Sequence, residues 1–326
     1  MKKRLGFVAP LAAALLLSTT ASADQVLKVE EILAQQNNFK VDFGLSYSNI
    51  DQKGGVGTVA TLDTLGGLGI ILTYLLSTPL GVVSSGEYAG EQVVDRDFIV
   101  YSLNAKYGLT KDLELVVFGN AHTSITRAQF NATDGTKTMA SETEHDFDNA
   151  GIGLTYKIKG EDGTPALVVG TTANAISRSQ YAVLDTNGQV VGTEKQDENF
   201  NSYNFYALSY YTVDPIVFVL KASYQWSLEQ TFQGQDYDHA DIISVSPEVY
   251  FAVNPYTNLS WGFTYQYKGE ELVNGVTAVS DESVVGFKLG MSYEIAHNSI
   301  LTVEASKNDT ATYQQSNINI LFSKTF

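Results

Sequence analysis

Apolar and polar residues alternate along most of this chain with a period of two. The clearest stretch is 39–47, where Phe39, Val41, Phe43, Leu45 and Tyr47 are separated by polar or small residues. This alternation is typical of a β-strand with one apolar face and one solvated face. Helical periodicity is almost absent, so the pattern predicts an all-β chain.

The same template fits twelve segments of the chain. These are 39–47, 99–107, 113–117, 152–158, 167–173, 203–213, 216–226, 243–251, 259–267, 285–293, 301–305 and 318–326. Most are extended by their neighbours to about 10 to 13 residues, which is longer than the ordinary soluble strand. We therefore predict a transmembrane antiparallel up-and-down β-barrel of about 12 strands over residues 38–326. A hairpin hidden in 50–95 would change that count by two.

The connections between these segments alternate between short and long, as outer-membrane barrels require. The predicted periplasmic turns are 110–112, 160–165, 214–215, 254–257 and 296–298. The predicted extracellular loops are 49–97, 128–146, 179–199, 229–240, 269–282 and a short last one at 308–312. Pro247 should weaken its strand, because proline cannot donate to the ladder.

Aromatic residues fall at two heights along the predicted strands. Near the short turns are Tyr107, Tyr156, Tyr211, Phe251, Tyr293 and Phe326, and near the long loops are Tyr47, Tyr101, Tyr203, Trp226 and Tyr267. Two such belts are expected where a membrane meets water. A soluble barrel with a ligand cavity would alternate as well, but it would not place bulky residues outward in two belts.

The first 23 residues have the form of a cleaved secretory signal peptide. Lys2, Lys3 and Arg4 precede an apolar stretch, and Ala21 to Ala23 are small residues at a cleavage site. The chain is strongly acidic, with a net charge of −16, which excludes nucleic acid as a partner. Cys is absent, which excludes thiol redox chemistry and Cys-bound metal. We expect no cofactor and no metal.

Residues 24–37 predict a short N-terminal amphipathic helix. Its apolar face consists of Val26, Val29, Ile32 and Leu33. As a hypothesis, this segment gates or plugs the lumen or docks a periplasmic partner, and the alternative is a frayed leader.

Charged and tyrosine side chains fall at the inward positions of the strands. The predicted pore-lining residues are Lys106, Glu114, Lys157, Lys221, Glu248, Lys288, Glu294, Glu304, Tyr206, Tyr210 and Tyr250. The two signs favour internal ion pairs, and the tyrosines would suit an aromatic or partly apolar solute or the packing of a plug.

Two features of the predicted loops allow further hypotheses. The apolar stretch 68–83 in the first loop is either a constriction or capture surface, or a hairpin beyond the membrane. His145 and His239 stand among carboxylates, which suits a divalent cation or an Asp-His pair. A solvated acidic loop, facing calcium-loaded lipopolysaccharide, is the ordinary interpretation.

The C-terminal strand, Asn317 to Phe326, resembles the terminal signature by which the barrel assembly machinery reads outer-membrane proteins, although Lys324 replaces a usual hydrophobe. The start of the predicted barrel, Gln35 to Ser48, resembles transporter-like barrels of the phenol-degradation (MetA-pathway) family, to which the secretion barrels of functional amyloid are similar. The resemblance implies an outer-membrane barrel that passes a substrate, with no catalytic residue.

Together these observations predict a channel or transporter, not an enzyme, in the bacterial outer membrane. It would pass a small solute, with an aromatic or hydrophobic one favoured, and would be gated by the N-terminal helix or the first loop. The alternatives are export of an unfolded polypeptide, an outer-face barrel enzyme, and a structural or adhesion barrel. The expected partners are outer-membrane lipid, lipopolysaccharide, the assembly machinery through Phe326, and the solute.

Overall fold

A computed structural model of the protein describes residues 33–53, 62–63, 71–72, 91–131, 137–184, 190–309 and 313–326. The predicted signal peptide therefore lies outside the described residues. Most of the predicted N-terminal helix and most of the apolar stretch 68–83 also lie outside them. Of that stretch only Ile71–Leu72 is described, and its backbone pairs with that of Leu62–Asp63. Within the described residues no helix is long and apolar enough to cross a membrane.

Twelve antiparallel strands form one closed barrel, as predicted. They are β1 (Phe39–Lys53), β2 (Glu91–Gly108), β3 (Leu113–Asn131), β4 (Lys137–Lys159), β5 (Ala166–Leu184), β6 (Ser202–Val213), β7 (Ile216–Ser227), β8 (Ile242–Asn254), β9 (Thr257–Lys268), β10 (Glu282–Ala296), β11 (Ser299–Asp309) and β12 (Tyr313–Thr325). Each strand pairs with its neighbours in sequence, and β1 also pairs with β12, which closes the ring. In outer-membrane barrels the short turns face the periplasm, so we refer to that end as periplasmic.

The barrel closes where the first and last strands meet at the periplasmic rim. The main-chain N–H of Phe326 donates to the carbonyl of Phe39 at 2.8 Å, and the two rings lie 6.5 Å apart. The Lys324 ammonium donates to the carbonyl of His297 at 3.2 Å and to Ser299 at 2.9 Å. Lys324 therefore reaches the polar rim from the apolar side of β12, at low cost for a long side chain.

The outer surface of the barrel is apolar, as the alternation predicts. On β1 the large side chains of Phe39, Phe43 and Tyr47 are exposed, while Asp42 and Ser46 between them are buried inside. The same exposure pattern continues around the wall in Leu103, Ile152, Leu154, Phe218, Leu220, Trp261, Phe263, Phe287, Leu289, Ile318 and Ile320. Because burial of this face requires lipid, the pattern fits a membrane-spanning wall.

Four strands extend much further toward the extracellular side than the sequence predicts. β2 to β5 have 18, 19, 23 and 19 residues, and they use parts of the predicted loops 128–146 and 179–199. Val190–Glu198 pairs with the outer part of β5 and leads into β6. In β3 and β4 the extensions are mostly polar on both faces, so they continue the main-chain ladder without a regular apolar alternation.

The predicted loops 229–240 and 269–282 form a small sheet outside the barrel. Its strands are Gln230–Phe232, Gln235–Asp238, Glu271–Val273 and Val276–Val279. Both hairpin turns have two successive residues with positive φ, Gln233 with Gly234 and Asn274 with Gly275. This is the backbone of the tight turn that matches the twist of paired strands.

The predicted N-terminal helix is wrong for the part that is described. Residues 33–37 are not helical, and Gln36 forms a parallel bridge to Gly108. The N–H of Ala34 donates to a Glu114 carboxylate oxygen at 2.5 Å. The sequence has the amphipathic spacing of a helix, but an isolated helical turn is unstable in so short a segment. Contacts with the barrel provide the backbone hydrogen bonds of residues 33–37 instead.

Candidate functional site

The candidate site is the interior of the barrel, where side chains from most strands converge. Buried charge is concentrated there in two clusters, one around Glu248 and one around Glu114. Between them lies an apolar cluster that contains the N-terminal residue Leu33.

The first charged cluster is centred on the Glu248 carboxylate of β8, whose side chain is 2% exposed. One carboxylate oxygen accepts from the Lys221 ammonium at 2.8 Å and from the Lys288 ammonium at 2.7 Å. The other accepts from the Tyr250 hydroxyl at 2.6 Å. Gly262 on β9 leaves the room for this arrangement, because a Cβ there would lie 2.8 Å from the Glu248 side chain.

The second charged cluster joins β1, β2 and β3 near the periplasmic end. The Lys106 ammonium lies 3.0 Å from Asp42, and both side chains are 4% exposed. Glu114 is fully buried beside them and binds the N–H of Ala34. The N-terminal segment is therefore held by a charged group of the barrel wall.

The apolar cluster fills the interior next to these charges. Leu33 belongs to the same buried cluster as Leu208 and Tyr210 of β6, and the partly buried Tyr250 packs against this cluster. The remaining members are Ala166, Val168, Val217 and Val219. These residues are buried at the inward positions of their strands, so this part of the interior is apolar.

The N-terminal segment is also fixed where it leaves the lumen. The N–H of Asn37 donates to the Gly108 carbonyl at 2.8 Å, and the N–H of Gly108 donates to Asn38 at 3.1 Å. Asn37 has a φ of 64°, a left-handed conformation that asparagine tolerates well and that turns the chain into β1. A Cβ on Gly108 would lie 2.1 Å from the Gln35 carbonyl oxygen, so this close crossing requires glycine.

Tyr206 of β6 is a further inward tyrosine, and it contacts residues of β4 and β5. Its hydroxyl lies 2.6 Å from the hydroxyl of Thr155, which is fully buried. A Cβ on Gly170 would lie 2.2 Å from the Tyr206 ring, so the ring occupies the space next to this glycine. The three predicted tyrosines Tyr206, Tyr210 and Tyr250 thus all lie inside the barrel.

Of the other predicted pore-lining residues, Lys157 and Glu294 lie toward the periplasmic end, whereas Glu304 of β11 lies close enough to Tyr250 to interact with it electrostatically. Lys157 pairs with Asp112 of a periplasmic turn at 3.3 Å. Glu294 lies close to the periplasmic rim, where its N–H donates to the Tyr256 carbonyl at 2.9 Å. Glu304 accepts weakly from Asn319, at 3.4 Å. Of the predicted gating residues only Leu33 is described, because Val26, Val29 and Ile32 lie outside the described residues.

Apolar alternation alone does not predict the inward apolar residues of β5 and β7. Continuous apolar runs in the sequence do indicate them. The runs Ala166-Leu167-Val168-Val169 and Ile216 to Leu220 are apolar at both parities. A continuous apolar run indicates a strand that is buried on both faces. Here one face meets lipid and the other meets the N-terminal segment.

The barrel wall is irregular at Pro247. The ladder between β8 and β9 lacks the pairs that Ser246 and Pro247 would form, as a residue without an N–H predicts. A cavity of about 400 Å³ lies here, lined by outward residues such as Phe218 and Trp261 and by the inward Glu248. The cavity therefore contacts both faces of the wall.

An aromatic cluster joins the outer sheet to the extension of β5. Tyr181 is 1% exposed and stacks on Phe232 with a centroid distance of 4.8 Å. Tyr237 and His239 complete the cluster, at 4.7 and 6.0 Å from Tyr181. Burial lowers the pKa of His239, and the nearby carboxylates of Glu271 and Glu198 oppose this shift.

The acidic loop histidines form no recognisable chemical site among the described residues. His145 lies 2.9 Å from the Thr123 hydroxyl, and His239 belongs to the aromatic cluster. Within the described ranges, no three His, Asp or Glu side chains come together in a way that could hold a metal ion.

Comparisons with known proteins agree with this architecture. No protein-family model matches the sequence, and no curated protein matches it. Among solved structures, the COG4313 outer membrane channel from Pseudomonas putida F1 is 11% identical, with a TM-score of 0.54 over 95% of this chain and 100% of that one. The transport unit of the autotransporter AIDA-I from Escherichia coli is also 11% identical, with a TM-score of 0.55 over 97% and 95%.

At this level of identity the likeness concerns the fold. The chain has the fold of bacterial outer-membrane transport barrels, which confirms the predicted outer-membrane barrel and the resemblance to transporter-like barrels at the level of architecture.

Proposed function

We propose that this protein is an outer-membrane channel for a small hydrophobic solute, and that its N-terminal segment closes the periplasmic end of the lumen. The observation that carries this proposal is the apolar cluster inside the barrel. A channel for hydrophilic solutes has a polar, water-filled interior, whereas here Leu33 covers inward apolar residues of β5, β6 and β7. Displacement of Leu33 would uncover an apolar track.

The solute is proposed to be small because charged side chains occupy the barrel interior. In the clusters around Glu248 and Glu114, the lysine ammonium groups lie 2.7 to 3.0 Å from carboxylate oxygens, and the paired side chains are largely buried. Breaking such buried pairs is costly, so a polypeptide in transit would meet a larger barrier than a compact solute. The inward Tyr210 and Tyr250 beside the apolar cluster favour an aromatic solute.

The remaining proposals concern the context of the channel. The predicted signal peptide directs export, the exposed apolar wall contacts lipid and lipopolysaccharide, and the strand ending at Phe326 is read by the assembly machinery. The protein acts without a chemical step of its own, so transport requires only binding and the movement of the segment.

Uptake of a neutral aromatic solute by whole cells tests this function, because the lipopolysaccharide layer limits its free diffusion. Cells that express the protein are expected to take up radiolabelled benzyl alcohol faster than cells with an empty vector. Leu33→Ala, which trims the plug at the apolar cluster, should increase the rate further. Equal uptake with and without the protein would reject the proposal, provided that surface expression of the folded barrel is verified.

A further inference from the structure

One buried arginine in the barrel takes no part in either charged cluster. Arg96 of β2 is 4% exposed. Its Nε and Nη1 have no hydrogen-bond partner among the residues that the structure describes, and it forms no ion pair with any of them. A guanidinium is always charged and carries five donors, so its burial with Nε and Nη1 unpaired is costly.

Arg96 points into the extracellular half of the lumen. It follows the inward parity of β2, on which Phe98, Val100 and Ser102 are also buried. Its outward neighbour Asp97 accepts from the Tyr47 hydroxyl at 2.7 Å in the extracellular aromatic belt. Arg96 therefore lies level with that belt, on the route that a solute follows from outside.

The immediate neighbours of Arg96 inside the barrel are apolar or small. Ile50 of β1 and Thr126 of β3 are its cross-strand partners, and such partners lie about 4.5–5.5 Å apart at Cβ. One step toward the periplasm, Phe98 lies between Ser48 and Ser124. The ring of His122 also stands beside Phe98, with a centroid distance of 6.1 Å and a nearly edge-on orientation.

We propose that Arg96 binds the carboxylate of an aromatic acid at the extracellular end of the lumen, with the ring of the acid against Phe98 and Val100. This inference rests on the proposed function and specifies its substrate class. Charge-assisted bonds from a guanidinium to a carboxylate are strong and directional. The buried side chains of Ile50, Phe98 and Val100 make the surroundings of the guanidinium apolar, which suits an aromatic ring better than an inorganic anion.

Equilibrium binding to the full-length protein in lipid nanodiscs tests this site. The probes are radiolabelled benzoate and its neutral isostere benzamide, which differ only in the charged group. The wild type is expected to bind benzoate saturably and about tenfold or more tightly than benzamide. Arg96→Gln should lose at least that factor for benzoate and leave benzamide unchanged.

The matched control is Arg127→Gln on the neighbouring strand. Arg127 is half exposed and pairs with Asp97 at 2.6 Å on the outer side, so its loss should leave benzoate binding unchanged. Arg96→Lys, which keeps the charge and loses the planar fork, should retain part of the preference. Heat-modifiable mobility in gels verifies that each variant is folded.

Three results would overturn the inference. They are equal affinity of the wild type for benzoate and benzamide, unchanged benzoate affinity in Arg96→Gln, and chloride competing with benzoate at equal concentration, which would indicate an inorganic anion only. Benzyl alcohol uptake separates this failure from failure of the proposed function, because uptake of that neutral solute does not require the arginine.

Discussion

At Gly108 a side chain would clash directly with the main chain of the N-terminal segment. A Cβ there would lie 2.1 Å from a main-chain oxygen of Gln35, which cannot rotate away. Overpacking of this kind costs about 1–3 kcal/mol, which corresponds to a roughly 5- to 150-fold shift between closed and open states. Gly108→Val is therefore expected to raise the single-channel open probability.

The control for this variant is Gly160→Val in a periplasmic turn. A Cβ at Gly160 meets nothing within 4 Å, so its conductance should equal that of the wild type. If Gly108→Val folds normally and remains as closed as Gly160→Val, the contact at Gln35 does not hold the segment in place.

Glu248 is expected to be the most important single charge for the stability of the barrel interior. Glu248→Gln leaves Lys221 and Lys288 without their shared carboxylate, and loss of one partner from a buried pair costs about 3–5 kcal/mol. The measurement is the free energy of unfolding in urea, in lipid vesicles. Asp162→Asn, which removes the exposed partner of Lys159, should change this free energy by less than about 1 kcal/mol.

The outer four-stranded sheet provides a pH-dependent element. The folded-state pKa of His239 is lowered by burial, so the unfolded form binds a proton more readily than the folded form. The sheet should therefore lose stability as the pH falls below about 6.5 toward the lowered pKa, and it should lose no more below that value.

Hydrogen exchange measured at pH 7.5 and pH 5, corrected for intrinsic rates, tests this prediction. Amides of 230–238 and 271–279 should exchange faster at pH 5 in the wild type. The difference should disappear in His239→Leu and persist in His297→Leu, in which the exposed histidine of a periplasmic turn is replaced. The same difference in all three proteins would mean that His239 is not the titrating group.

At the scale of elements, the sequence predicts a strand wherever its two faces meet different solvents. β1, β9 and β10 follow the alternation because lipid lies on one side and the polar lumen on the other. The extensions of β3 and β4 have water or polar groups on both sides, so their sequence carries no alternation and main-chain pairing alone defines them. Asn274-Gly275 is a dipeptide typical of a two-residue hairpin turn, yet the alternation predicts only a loop there.

At the scale of the molecule, the inward charges were predictable from parity, but their pairing was not. Register alone places Lys221, Glu248 and Lys288 inside. Their convergence on one carboxylate depends on the curvature of the wall and on the space left by Gly262. The course of residues 33–37 was not predictable either, because long-range contacts with Glu114 and Gly108 determine it.

The central claim is that the N-terminal segment closes a lumen that is otherwise passable. The most direct test is single-channel conductance in a planar bilayer, comparing the protein that begins at Asp24 with a version that lacks residues 24–36. The shorter version keeps Asn37, which pairs with Gly108 at the start of the barrel. We expect little steady conductance from the longer protein and a stable open channel from the shorter one. Equal conductance in the two would contradict the account.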